Sequence, residues 1–132
     1  MIKEINHITI AVSDITRSIE FYGDVLGLKL HVVWETGAYL TAGGLWFCLS
    51  LDQPCEKADY THFAFTVDSE DFQTCCKVLL SKGVKQWKEN SSEGDSFYFL
   101  DPDGHKLEIH VGNLESRLQG LREKPYRNVE WA

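Results

Sequence analysis

Apolar and polar residues alternate along two short stretches, Asn6-His7-Ile8-Thr9-Ile10-Ala11-Val12 and Thr61-His62-Phe63-Ala64-Phe65-Thr66-Val67, and the two match position for position. A period of two marks each as a strand with one apolar face, and a histidine stands second in both. Beyond each strand the period lengthens to that of a helix. Ser13-Asp14 opens onto Ile15, Ile19, Tyr22 and Leu26, while Asp68-Ser69 opens onto Phe72, Cys75, Cys76, Leu79 and Leu80. Gly27 and Gly83 end the two helices, because glycine takes the left-handed conformation of a helix terminus without a Cβ penalty. Runs rich in β-formers follow, Lys29 to Trp34 and Val84 to Trp87. The correspondence continues with Gly37 to Leu40 beside Asp95 to Leu100, and Gly44 to Leu49 beside Gly104 to Ile109.

Each half therefore reads β-α-β-β-β, and an internal repeat of this kind governs the whole fold. The expected class is α+β, built of two βαβββ modules in a single domain over residues 4–112. Repeat one spans 4–52, a linker with Pro54 and several charges spans 52–59, and repeat two spans 60–112. The turns before the last strands are Gly43-Gly44 and Asp101-Pro102-Asp103-Gly104, both strong hairpin signals. Residues 113–132 open with Leu114, Leu118 and Leu121 at helical spacing and run into an irregular tail after Pro125.

Composition narrows the partners. The chain has 132 residues, 43% of them hydrophobic, which suffices for one real core. A formal charge of −7 works against a phosphate-backbone partner, so nucleic acid is set aside. The start, MIKEINHITIAV, lacks the features of a secretory signal, and no segment approaches a membrane span. Four cysteines, Cys48, Cys55, Cys75 and Cys76, show no framework spacing, and a reduced cytosol is the expected compartment.

Sorting each strand by its alternation separates an apolar face from a chemical one. Ile8, Ile10 and Val12 oppose His7, Thr9 and Ala11; Phe63, Phe65 and Val67 oppose His62, Ala64 and Thr66. In the last strands Leu45, Phe47 and Leu49 oppose Trp46, Cys48 and Ser50, and Leu107, Ile109 and Val111 oppose Glu108 and His110. With the two sheets side by side, His7, Thr9, Trp46, Cys48, His62, Ser96, Tyr98 and Glu108 are expected to line one cleft. One histidine on a strand is ordinary packing. Two at matching repeat positions, with a carboxylate on the same face, form an open set of two imidazoles and a carboxylate suited to a catalytic divalent metal. Cys48 occupies the first repeat's counterpart of Glu108 and is expected to be a small buried residue rather than a fourth ligand.

Repeated βαβββ modules with His, His and Glu resemble the vicinal oxygen chelate superfamily. The segments Asn6-His7-Ile8-Thr9, Gly37-Ala38-Tyr39, Leu45-Trp46-Phe47-Cys48-Leu49-Ser50, Asp59-Tyr60-Thr61-His62, Asn90-Ser91-Ser92-Glu93-Gly94 and Tyr98 to Glu108 look like its FosA-type fosfomycin-resistance glutathione transferases. The resemblance implies Mn(II) on His7, His62 and Glu108, glutathione as co-substrate and fosfomycin as substrate. It further implies Thr9 and Tyr39 as catalytic residues, and Thr9, Trp46, Lys88, Ser92, Ser96, Tyr98 and Arg117 as substrate contacts. From the residues alone, Lys88 and Arg117 would be solvated surface charges. The loop with Asn90, Ser92, Glu93, Gly94 and Ser96 resembles the family's K⁺ loop; by composition it is a polar loop with a glycine bend. The family exchanges modules between subunits, which implies a homodimer with His7 contributed by the partner chain. Alternatives are a related epoxide hydrolase or glyoxalase-like isomerase, and a drug-sequestering protein of the same fold. Against the hydrolase, Thr41-Ala42-Gly43-Gly44 holds no acid to activate water.

Overall fold

The computed structural model describes residues 1–132 as two four-stranded sheets of identical topology with three helices. In the first module β1 (His7–Val12), β2 (Lys29–Trp34), β3 (Gly37–Ala42) and β4 (Leu45–Leu51) lie in the order β1-β4-β3-β2. In the second, β5 (Phe63–Thr66), β6 (Gln86–Lys88), β7 (Ser96–Leu100) and β8 (Lys106–His110) lie in the order β5-β8-β7-β6. β1 pairs with β4, and β5 with β8, in parallel, while the other neighbours are antiparallel. A helix between the first and second strands of each module makes the parallel return possible. The expected two βαβββ modules are thus present.

The first helix differs from its expected regular form. α1 (Ile15–Ile19), capped by Asp14 Oδ1 accepting from the Arg17 amide at 2.9 Å, runs into a π-helical segment over Glu20–Val25. Phe21 and Tyr22 are adjacent and both buried, and the wider turn accommodates two consecutive inward aromatics where a 3.6-residue period would turn one away. Their rings reach both modules: Tyr22 lies 5.0 Å from Phe47, and Phe21 lies 6.3 Å from Phe99, centroid to centroid. Gly27 and Gly83 have φ of 81° and 76°, as their helix-ending role requires. α2 (Phe72–Ser81) buries Phe72 and Leu79, and α3 (Leu114–Glu123) begins at a capping box of Asn113 and Ser116. β6 starts later than the run Val84 to Trp87 implies, at Gln86, and its pairing with β7 shifts register between Gln86 and Lys88.

The apolar strand faces drain into one core. Ile10, Val12, Phe47 and Leu49 of the first module join Phe97, Phe99, Leu107 and Ile109 of the second in a cluster of 16 buried residues. Polar ties reinforce the junction. Asp103, in the turn before β8, accepts from Ser13 N at 3.1 Å, Ser13 Oγ at 2.5 Å and Arg17 at 2.9 Å. His105 Nε2 meets the carbonyl of Ala11 at 2.6 Å, and Tyr22 donates to Asp101 at 2.6 Å. No helix is long and apolar enough to cross a membrane, and all four cysteines are free thiols.

Candidate metal centre

On the second module, alternation along β7 and β8 and the segment entering β5 bring His62, Glu108, Ser96 and Tyr98 to one face. His62 Nδ1 lies 2.7 Å from the carbonyl oxygen of Tyr60. A carbonyl can only accept, so Nδ1 carries a proton and Nε2 is the ring nitrogen left to face a metal. That nitrogen faces Glu108 Oε1 at 3.1 Å. Two such atoms at this distance call for a proton or a cation between them. Adjacent ligands about 2.1 Å from a divalent ion and at right angles would stand about 3.0 Å apart, so the pair fits a metal's neighbouring coordination positions. The second carboxylate oxygen, Oε2, accepts from Ser96 Oγ at 2.6 Å, and the Glu108 residue is only 6% exposed.

Aromatic rings wall this half-site. His62 packs against Tyr60, Trp87 and Tyr98 with centroids at 4.9, 5.3 and 6.1 Å. Lys88 Nζ donates to the Tyr60 hydroxyl and lies 4.8 and 4.9 Å from the Tyr60 and Tyr98 ring centroids. The Tyr60 hydrogen bond raises the Lys88 pKa, keeping an ammonium beside the carboxylate. Lys88 is therefore committed to this face and is not a free surface charge.

The first module presents a separate half. His7, exposed, packs on Trp46 at 4.5 Å between centroids; Tyr39 stacks edgewise on Trp46 at 5.1 Å and on Trp34 at 4.8 Å. Thr9 and Tyr39 flank Cys48, each in register with it on neighbouring strands. Cys48 is 5% exposed. The single chain does not close the expected cleft: no three His, Cys, Asp or Glu side chains converge within reach of one ion, so His7 stands apart from His62 and Glu108. The shared core joins the modules through their apolar faces. Thr9 and His62 do line one crevice between β1 and β5 of about 300 Å³, with Lys57 and Lys106.

The profile of the Glyoxalase/Bleomycin resistance protein/Dioxygenase superfamily matches residues 4–109. Over 98% of its length the chain is 56% identical to the glutathione transferase FosA of Serratia marcescens, of which it covers 95%. The chain belongs to the FosA-type branch of this superfamily. It is also 43% identical to the metallothiol transferase FosB of Staphylococcus haemolyticus, over 97% of this chain and 98% of that one. The structure of the fosfomycin resistance protein FosX of Listeria monocytogenes, complexed with Mn(II) and sulfate, matches with a TM-score of 0.83 at 30% identity, covering 90% of this chain and 98% of that one.

In this FosA-type chain the loop before β7 is tied to itself. Asn90 Nδ2 donates to the Gly94 carbonyl at 2.8 Å, and Asn90 Oδ1 accepts from Ser92 N at 3.0 Å and Ser92 Oγ at 2.9 Å. Arg117, on α3, donates to Ser92 Oγ at 3.3 Å and to the Glu93 carbonyl at 3.4 Å, and pairs with the Glu93 carboxylate at 3.4 Å. The structure thus joins His62, Glu108, Ser96, Tyr98 and Lys88 in one cluster, Arg117, Ser92 and Glu93 in a second, and His7, Thr9, Tyr39 and Trp46 in a third. Sequence pattern assigns no role to three residues around the first cluster: Tyr60, Trp87 and His110. Alternation does place His110 on the Glu108 face, and Tyr60 stands two positions from His62. Trp87 reaches the site through the bulged register of β6, which local pattern does not encode.

Proposed function

We propose that the chain is a Mn(II)-dependent thiol transferase that adds glutathione to the epoxide of fosfomycin. One observation carries the reading: Nε2 of His62 and Oε1 of Glu108 converge at 3.1 Å, with the Lys88 ammonium over the neighbouring Tyr98 ring, on a chain 56% identical to a glutathione transferase. His62 and Glu108 would hold the metal, and His7 would complete the set from the partner subunit of a module-exchanged homodimer. Bound there, the metal supplies Lewis acidity toward the epoxide oxygen, worth several kcal/mol as negative charge develops.

The remaining work falls to side chains. Lys88, Tyr98, Ser92, Ser96, Arg117 and Thr9 offer donors to a phosphonate, and Trp46 walls the first-module side. A fixed phosphonate presents the ring carbon to the thiolate sulfur; the S–C bond forms as the ring C–O bond breaks, and the released oxygen takes up a proton. Thr9 and Tyr39, on the His7 face, would stand at the thiol's approach. A K⁺ ion in the loop of Asn90, Ser92, Glu93, Gly94 and Ser96 would offset phosphonate charge. Four free thiols fit a reduced cytoplasm. The dimer is supported by surplus apolar surface on β2, an edge strand of the first module: Leu30, Val32, Val33 and Trp34 are 40, 46, 51 and 42% exposed.

The test is product mass after incubation with Mn(II), fosfomycin and either glutathione, L-cysteine or water. A glutathione adduct is expected. A diol formed without thiol would make the chain a hydrolase, and fosfomycin bound but unaltered would make it a sequestering protein.

A further inference from the structure

We propose that Trp87 is a positioning residue for the metal centre: its indole fixes the ring of His62 and the backbone at Glu108 relative to each other, and a β-bulge in β6 delivers it there. The inference rests on the reading of His62 and Glu108 as metal ligands. Gln86 pairs with Phe99 and Lys88 with Tyr98, so β6 advances two residues where β7 advances one. Trp87 is the extra residue of this bulge. In a regular strand neighbours point to opposite faces, and Trp87 would turn away from Lys88. Here both meet the same two rings. The Trp87 ring lies 5.7 Å from that of Tyr60 and 5.2 Å from that of Tyr98, while Lys88 Nζ lies 4.8 and 4.9 Å from the same centroids. The Gln86 side-chain amide spans the bulge and donates to the Lys88 carbonyl at 3.1 Å.

From this seat the half-buried indole reaches both candidate ligands. Its ring meets the His62 ring edgewise at 5.3 Å between centroids. Its Nε1–H donates at 3.0 Å to the carbonyl of Leu107, whose peptide bond leads directly into Glu108. His62 needs such support, because β5 begins one residue later, at Phe63, and no ladder pairing holds its main chain. The hydrogen bond from Nδ1 to the Tyr60 carbonyl fixes one atom of the ring and leaves its tilt to the rings packed around it. A further tie comes from Lys106, whose Nζ lies 5.2 Å from the indole centroid and donates at 2.5 Å to the Asp59 carbonyl, in the segment that leads to His62. Groups that orient metal ligands in this way typically change metal affinity by about 10–100-fold when removed.

In ¹H–¹⁵N spectra of the metal-free wild type, the Trp87 indole N–H, assigned by its loss in Trp87→Phe, should be protected from solvent exchange; free exchange overturns the inference. Mn(II) affinity, read by EPR of the free ion, should fall about 10–100-fold in Trp87→Phe and Trp87→Tyr, each of which keeps an aromatic ring. Co(II) supplies a reading of ligand geometry. At saturating Co(II) the d–d absorption of both variants should differ from that of wild type, a change that loss of stability alone does not produce. Phe72→Leu, which loosens the core through α2, should lower Tm and move neither reading. Wild-type Mn(II) affinity with an unchanged Co(II) spectrum in the Trp87 variants, or an equal loss of affinity in Phe72→Leu, would overturn the proposal. Failure of wild type itself to bind Mn(II) would instead refute the metal-enzyme reading, and the proposal with it.

Discussion

Asp101 shows how much one carboxylate can organise. Its Oδ1 accepts from the amides of Asp103 at 2.9 Å and His105 at 2.8 Å, closing the turn before β8, while Oδ2 accepts from Tyr22 across the module junction. Burial raises its pKa above the ordinary 3.8, against the lowering effect of these hydrogen bonds, and burial with the neighbouring Asp101 charge raises that of Tyr22. An acid whose folded pKa exceeds its unfolded value holds more protons when folded. Its contribution is complete below pH 3.8 and is lost as pH rises through the folded value. Tyr22→Phe removes the donor to Oδ2 and leaves a buried carboxylate oxygen unpaired. We expect a loss of about 1–3 kcal/mol in urea unfolding at pH 7.5 and a smaller loss at pH 4, where protonation relieves the oxygen. A larger loss at pH 4 would contradict this assignment. At the metal centre, Glu108→Gln should weaken Mn(II) binding by about 100-fold or more, exceeding the effect of an orienting group. Equilibrium dialysis against Mn(II) checks it.

Among the elements, the first helix departs most from its sequence pattern. Ser18 is fully buried on α1, and its Oγ has no hydrogen-bond partner. Ser18→Ala removes an unpaid desolvation cost while keeping the shape, so it should leave stability unchanged or raise it by about 1 kcal/mol. A thermal melt decides; a clear fall in Tm would mean that the hydroxyl has a partner. Strands were legible because each carries its alternation in full: Leu107, Glu108 and Ile109 announce a face before any partner is known. The π-helical segment was not. The widened turn around Phe21 and Tyr22 answers to Phe47 and Phe99, residues distant along the chain.

For the whole molecule, what matters is that His7 on one module stands apart from His62 and Glu108 on the other. If His7 completes the partner's centre, His7→Ala and Glu108→Ala chains are each inactive alone. Unfolded and refolded together in equal amounts, they should regain about a quarter of wild-type activity, since half the dimers are mixed and each mixed dimer has one intact site. No recovery would place His7 with His62 and Glu108 of its own chain. The exposed apolar strand β2 and the ladder Trp34-Tyr39-Trp46-His7 mark the face that this dimer would cover.

The repeat, the strand faces and the candidate metal residues are properties of local order: periods of two and 3.6, glycines at helix ends, and histidines at equivalent positions need no distant contact to be read. The meeting of Ser96 with Glu108, the burial of Asp101, the seat of Lys88 between Tyr60 and Tyr98, and the separation of His7 from His62 are not local. They arise because the two apolar faces share one core, and that packing alone decides which polar groups meet, which lose water and which remain open to a second chain.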